Sequence, residues 1–284
     1  MTVLEGRIAV VTGAGSGLGA AMAHEFARAG MVVAALDIDE SAARRTAGTL
    51  AGEGATAAAL RVDVGEPTSI LEAAQRVDEM FGGCDLLCAN VGVQQFGSID
   101  RLTDDDWTWV LGVNVHGTIR TVAAFLPLLR KRSGWRHIAL TSSTSYFLPG
   151  VRLGAYATSK FAVVGFAETL RLELTDEGIG VTIVFPAGMA TRHLESSAAA
   201  RPAALGASVT LPDDIEAMLA SRKTDMTEAV ATPESAVRNL LPQLLANEPY
   251  VITHGDVRAE YEERRAEIDR AFDRMEHLPG EGRP

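Results

Sequence analysis

Tyr156 and Lys160 stand four residues apart in the run Tyr156-Ala157-Thr158-Ser159-Lys160. On a helix, positions i and i+4 share a face, so the phenol and the ammonium point the same way. A free tyrosine has a pKa near ~10 and is a poor base at neutral pH. A fixed positive charge beside it favours the phenolate. Such a pair can move a proton to or from a hydroxyl of a bound molecule. The pattern also recurs by chance on solvated helices, so its surroundings decide its weight. Ser143 lies upstream in the polar cluster Thr141-Ser142-Ser143-Thr144-Ser145. A serine hydroxyl there can hydrogen-bond a substrate oxygen. Asn114 falls within Gly112-Val113-Asn114-Val115-His116-Gly117, inside a predicted helix. Asn and Gly are poor residues for a helix interior, so a local distortion with a functional reason is expected.

A second group of residues suits a dinucleotide. Thr12-Gly13-Ala14-Gly15-Ser16-Gly17-Leu18-Gly19 follows a strand-like run and opens an Ala-rich helix. Glycines in such a turn let the backbone approach a pyrophosphate, and the helix N-terminus offers unpaired N–H groups. Gly13, Ser16, Gly17, Leu18 and Gly19 are the expected contacts. Asp37 ends the second strand-like run. A carboxylate there accepts from both ribose hydroxyls of NAD and repels the 2′-phosphate of NADP. Neither Ser16 nor Ile38 is basic, so no cation stands ready for that phosphate. The alternative is that Asp37 caps a helix, a task open also to Asp39 or Ser41. Asp63, with Val64 beside it, ends the third run and can face the adenine, or serve only as a turn residue before Pro67.

These residues need a frame. Strand-like runs occur at 7–12, 31–36, 58–62, 85–89, 136–141, 180–185 and 250–253. Helical patterns lie between them at 17–29, 40–51, 67–81, 104–130, 155–177 and 233–246. Short apolar runs alternating with helices predict an α/β fold, a doubly wound parallel sheet of Rossmann type covered on both faces. Its ligands sit beyond the carboxyl ends of the strands, where Asp37, the turn at Asn90 and the serine cluster all fall. One domain is expected over 1–284, with a core at 5–253. Residues 195–232 have no strand-like run of their own and read as a mobile lid over the substrate, or as a plain surface helical insertion. In the tail at 257–277, Ile268, Phe272 and Met275 recur at helical spacing. That amphipathic helix can cap its own subunit or pack on a neighbour.

The chain has 284 residues, 47% of them apolar, and a formal charge of −11. The negative charge disfavours nucleic-acid binding. No apolar run is long enough to span a membrane, and residues 1–6 lack the basic-then-apolar order of a signal peptide, so a cytoplasmic protein is expected. Cys84 and Cys88 are too few for a metal site, and the six histidines show no ligand spacing, so no metal is expected.

Taken together, residues from about 5 to 253 resemble a short-chain dehydrogenase/reductase. The matching motifs are Thr12–Gly19, Asp37, Asn90 with Gly92, Asn114, Ser143, and Tyr156 with Lys160. The resemblance implies a serine that positions the carbonyl, a tyrosine acid/base, and a lysine that lowers the tyrosine pKa and binds the nicotinamide ribose. It also implies an asparagine that holds a water in a proton relay, and assembly as a homotetramer or homodimer. Two positions depart from the family pattern. Val91 stands where alanine is usual between Asn90 and Gly92. Ala187 stands where glycine usually follows Pro186, which leaves the backbone contact there in doubt but keeps the spacing from Pro186 to Thr191.

The expected activity is hydride transfer between NAD(H) and a small-molecule secondary alcohol or ketone. Gln94, Gln95 and Phe96, and Tyr146, Phe147 and Leu148, are expected to border the substrate, with Ser145, Leu153, Met189 and His193. That set suggests a bulky, apolar or aromatic substrate. The tail weakly resembles bacterial relatives that oxidise benzylic or aryl alcohols. Two rivals stand beside this reading: an NADPH-dependent biosynthetic ketoreductase, opposed by Asp37, and a non-catalytic dinucleotide sensor, which has no need of Tyr156.

Overall fold

A computed structural model describes residues 4–191, 193–222 and 230–276. The apolar runs form seven strands: β1 (Ile8–Thr12), β2 (Val32–Asp37), β3 (Ala57–Arg61), β4 (Leu86–Ala89), β5 (His137–Thr141), β6 (Gly180–Phe185) and β7 (Tyr250–Ile252). They pair in the order β3-β2-β1-β4-β5-β6-β7, every pair parallel. The reversal of order between β1 and β4 opens the crevice in which a doubly wound sheet binds its ligand. The central strands are buried on both faces, and so β1 and β4 read as unbroken apolar runs.

Helices cover the two faces. They are α1 (Gly17–Arg28), α2 (Glu40–Gly52), α3 (Pro67–Phe81), α4 (Asp104–Leu111), α5 (Thr118–Arg130), α6 (Gly154–Leu174), α7 (His193–Ala200), α8 (Pro212–Ala220), α9 (Pro233–Val237), α10 (Leu240–Leu245) and α11 (Arg258–Glu276). One core layer packs α3, α5 and α6 on the sheet through Ile70, Phe125, Val163 and Phe185. The other packs α1, α2, α9 and α10 through Met22, Phe26, Leu50 and Leu244.

The single helix expected over 104–130 is interrupted. Residues Gly112–Gly117 form a π-helical turn centred on Asn114. One extra residue in such a turn shifts the register of the side chains after it. Gly117 thereby meets the loop after β3 so closely that a Cβ would lie 2.9 Å from Val64. The segment expected to have no strand, 195–232, holds the end of α7, a short turn at Ala203–Leu205 and α8 among its described residues. Ala231 bridges Met189 in parallel. Residues 223–229 of the expected lid and 277 of the expected tail lie outside the described residues. The helix expected at 233–246 divides into α9 and α10.

Candidate active site

The turn after β1 is shaped for close approach. Gly13 and Gly17 have φ of 69° and 52°, a region that L side chains rarely adopt. A Cβ on Gly15 would lie 2.8 Å from the Asp37 carboxylate, and one on Gly19 would collide with the carbonyl of Gly13. Ser16 makes no side-chain cap and α1 has no acidic residue in its first turn. The first N–H groups of α1 and its positive end therefore face the cavity without a competing anion. These features fit a pyrophosphate.

Asp37 faces the same turn. Its Oδ2 accepts from the Gly15 amide at 2.8 Å and its Oδ1 from Asp39 at 2.9 Å. The capping of α2 falls to Asp39, whose side chain accepts from Ala42. Asp63 accepts from the Gly65 amide at 2.9 Å. Arg120 holds that loop from α5 by donating to the Gly65 carbonyl.

Asn90 ties three strand ends together. Its amide donates to the Thr12 carbonyl at 3.2 Å, and its Oδ1 accepts from Thr141 at 3.1 Å. The Val91 side chain is accommodated against Gly13, where a Cβ would lie 3.4 Å from it. Ala187 is accommodated in a similar way. A Cβ on Gly255 would stand 2.7 Å from that of Ala187, and Gly255 has none. The loop from Pro186 to Thr191 is further held by His254, whose ring meets the Gly188 carbonyl at 2.8 Å.

Tyr156 and Lys160 lie on the first turns of α6. The Tyr156 hydroxyl faces the side chain of Ser143, two residues past β5, which favours its charged form. The Lys160 ammonium lies 5.5 Å from the centre of the Tyr156 ring and donates to the Thr141 carbonyl at 3.0 Å. Lys160 is buried and Tyr156 is half-buried. Burial pushes the Tyr156 phenol above its ordinary range, partly offset by Ser143. Burial also lowers the Lys160 ammonium to about 8. Within the protein alone, burial outweighs the neighbouring charge for the phenol and works against the ammonium.

Asn114 does not present a free amide to the cavity. Its Oδ1 accepts from the Val93 amide at 2.7 Å, and its Nδ2 donates to the Val93 carbonyl and to Ser159. The π-turn thus lets one side chain clamp the loop after β4 to the helix that carries Tyr156. Its side-chain amide is thus engaged by protein groups and acts as a clamp on this loop.

One cavity of about 600 Å³ contains Asp37, the glycine turn, Asn90, Gly92, Ser143, Tyr156, Lys160 and Thr191. Its far end includes Gln94, Ser145, Met189 and His193, as anticipated, together with Phe96 and Leu153. The His193 ring stands edge-on to Tyr156 at 6.4 Å. Burial, and then the Lys160 charge, lower it to about 4. Phe147 is a correction. The turn at Thr144–Tyr146 rotates it away from the cavity, and it packs at 4.7 Å on Phe185 and 5.1 Å on Tyr261 of α11. Tyr146 and Leu148 are likewise absent from the lining. Gln95 is buried and donates to Thr210 of the lid. Trp109, Ile215, Met218 and Arg222, which sequence reasoning passed over, supply the rest of that wall. Trp109 lies on α4, whereas Ile215, Met218 and Arg222 fall within 195–232, and only their place in the expected lid could have signalled them.

Residues 7–202 match the family model described as short chain dehydrogenase, and the chain belongs to that family. Its members are oxidoreductases of CH–OH groups that bind a nicotinamide dinucleotide and typically oligomerise. Among similar proteins is a C alpha-dehydrogenase of Sphingobium sp. (strain NBRC 103272 / SYK-6), 32% identical over 73% of this chain and 68% of the relative. Another is a 1-deoxy-11-beta-hydroxypentalenate dehydrogenase of Streptomyces exfoliatus, 33% identical over 74% of this chain and 77% of the relative. A crystal structure of a short chain dehydrogenase/reductase from Burkholderia phymatum in complex with NAD superposes with a TM-score of 0.86. That protein is 29% identical, with both chains fully covered. Among the described residues no cluster of metal-ligating side chains occurs, and no helix is long and apolar enough to cross a membrane.

Proposed function

We propose that this protein is an NAD-dependent dehydrogenase that interconverts a secondary alcohol and a ketone, with Tyr156 as the proton-transfer group. The observation that carries this reading is that Tyr156, with Ser143 and Lys160 beside it, lines one cavity with the glycine turn and Asp37. When bound, the nicotinamide ring supplies the acceptor or donor of hydride. Ser143 fixes the substrate oxygen. In oxidation Tyr156 takes the hydroxyl proton as hydride leaves the carbinol carbon; in reduction the neutral phenol, favoured by burial, gives that proton to the carbonyl oxygen. Lys160 supplies positive charge to the forming phenolate and a donor for the ribose. The candidate cofactor contacts are Gly13, Ser16, Gly17, Leu18, Gly19, Asp37, Asp63, Val64, Asn90, Gly92, Tyr156, Lys160, Pro186 and Thr191.

Asp37 supports a preference for NAD over NADP, because its carboxylate occupies the edge of the turn that a 2′-phosphate would approach. The NAD-bound relative from Burkholderia phymatum is in keeping with it. Phe96, Trp109, Leu153 and Met218 favour a bulky, apolar or aromatic substrate. We also propose a homotetramer or homodimer, supported by the exposed Leu172 on α6 and by Ile268, Phe272 and Met275 on α11. The test of the function is the appearance of the reduced-nicotinamide absorbance band with a panel of secondary alcohols and NAD. Its appearance with secondary alcohols, faster with NAD than with NADP, is expected; no turnover with any of them contradicts the reading.

A further inference from the structure

Charge is segregated within the cavity. Its carboxylates, Asp37, Asp63 and Glu66, all stand at the nucleotide end, on the turns after β2 and β3. Past Tyr156 the wall carries the apolar Phe96, Trp109, Leu153, Ile215 and Met218 beside the uncharged Gln94 and Ser145 and the ring of His193, and no acidic side chain lines it among the described residues. Into this largely apolar wall the segment after α8 brings the guanidinium of Arg222.

Arg222 is half-buried, and its donors are only partly satisfied by the protein. Nη1 donates to the Leu148 carbonyl at 2.7 Å. Nη2 lies against Gly150, where a Cβ would be 3.0 Å away. Nε is buried with no acceptor. Arg222 makes no salt bridge with any described residue, although Glu260 on α11 contributes a favourable field. Neighbouring arginines differ. Arg201 pairs with Asp106 at 2.7 Å, and Arg101 and Arg152 both meet Asp214. A guanidinium held in an apolar wall calls for an anionic partner. A carboxylate is the group whose planar oxygens match its fork. Leu153, three residues before Tyr156, packs on the same Gly150 turn, with a Cβ there 3.2 Å away. The anion would therefore enter the same end of the cavity as the substrate body, away from the nucleotide.

We propose that Arg222 recognises the substrate, and that the substrate is an alcohol or ketone with an apolar body and a carboxylate remote from the reacting carbon. This rests on the dehydrogenase reading of the same cavity. It makes Arg222 a specificity-determining residue carried by the lid, with no part in the proton transfer.

The test uses the NADH complex of the full chain, titrated by calorimetry with 4-acetylbenzoate and with its methyl ester. Oxidation of the two corresponding alcohols by NAD is measured in parallel. Wild type should bind the acid about tenfold or more tightly than the ester, the span of a charge-assisted bond. Arg222→Gln should abolish that difference, and Arg222→Lys should restore part of it. In turnover the loss should fall on KM for the acid and less on kcat. NADH affinity reports whether each variant is folded. Equal binding of acid and ester by wild type overturns the proposal, as does an undiminished preference in a folded Arg222→Gln. If the acid binds in an Arg222-dependent way but neither alcohol is oxidised, the dehydrogenase reading fails on this substrate class while the Arg222 assignment stands. If both alcohols are oxidised with no preference for the acid, the Arg222 assignment fails while the dehydrogenase reading stands.

Discussion

The ammonium of Lys160 lies 5.5 Å from the ring of Tyr156, and the carbonyl it donates to, that of Thr141, ends β5 two residues before Ser143. Three groups of the proposed chemistry are thus fixed by one strand end and the first turns of one helix. The arrangement sets a charge in a buried place, and this has a measurable consequence for stability. The folded-state pKa of Lys160 is lowered by burial from 10.5 to about 8. Between those values the unfolded chain holds a proton that the folded chain lacks, so stability rises with pH there. Below about 8 the buried ammonium is a net cost. Lys160→Met should therefore be more stable than wild type at pH 7 by about 1–3 kcal/mol, with the gain shrinking as the pH rises above 8. Urea unfolding at two pH values measures it. The same variant should be severely impaired in turnover; a less stable variant at pH 7 would contradict the argument.

Asp37 makes a separate prediction. Replacing it with Ser removes the charge opposite a 2′-phosphate and keeps a short polar side chain. The ratio of kcat/KM for NAD over NADP should fall by about tenfold or more, as expected when a carboxylate no longer opposes a phosphate at close range. Equal efficiency with both cofactors in wild type would contradict this role.

Asn114 should act through position. Its amide holds the Val93 backbone on both sides and reaches Ser159, which in turn donates to the Tyr156 carbonyl. Asn114→Ala leaves the buried Val93 amide without its acceptor, a cost of about 1–3 kcal/mol. Both stability and kcat should drop. Asn114→Asp keeps the acceptor for the Val93 amide and should recover more stability than activity. A fully stable, inactive Asn114→Ala would instead argue for direct chemistry.

His137 should set part of the acid sensitivity. Its ring is buried, and Nε2 must donate to Thr182, because the Thr182 hydroxyl proton goes to the Glu248 carbonyl. Burial lowers its pKa from 6.5 to about 4. Between those values the unfolded chain takes up a proton that the folded chain does not, so stability is full above 6.5 and falls as pH drops toward 4. Chemical unfolding at pH 7 and pH 5 should show this loss, reduced in His137→Gln. An identical loss in both proteins would exclude His137 as its source.

Much of the frame was legible because a parallel sheet buried on both faces requires continuous apolar runs, and these stood out from β1 to β6. Asn114 was legible as a helix defect, since Asn and two glycines in one turn oppose a regular helix. What the defect does was not legible, because the partner of its amide is the Val93 backbone, whose position no side-chain pattern reports. Phe147 was misplaced for a related reason. Nearness in sequence to Ser143 says nothing about direction once a tight turn rotates the chain, and the site it fills belongs to Tyr261, far along the chain. Arg222 and Met218 were missed because the lid carries no periodic signal linking it to the wall it completes. Ala187 left the loop after β6 in doubt, and the answer lay in Gly255, which meets it only in the folded chain.

The central claim is that the Tyr156 hydroxyl transfers the proton. Tyr156→Phe keeps the ring that packs near His193 and removes only that hydroxyl. The most direct measurement is kcat for alcohol oxidation in this variant, alongside the NAD dissociation constant. The account predicts that kcat falls by about a hundredfold or more, while NAD binding stays close to wild type because the glycine turn and Asp37 are untouched. Turnover near the wild-type rate in a folded, NAD-binding Tyr156→Phe would contradict it.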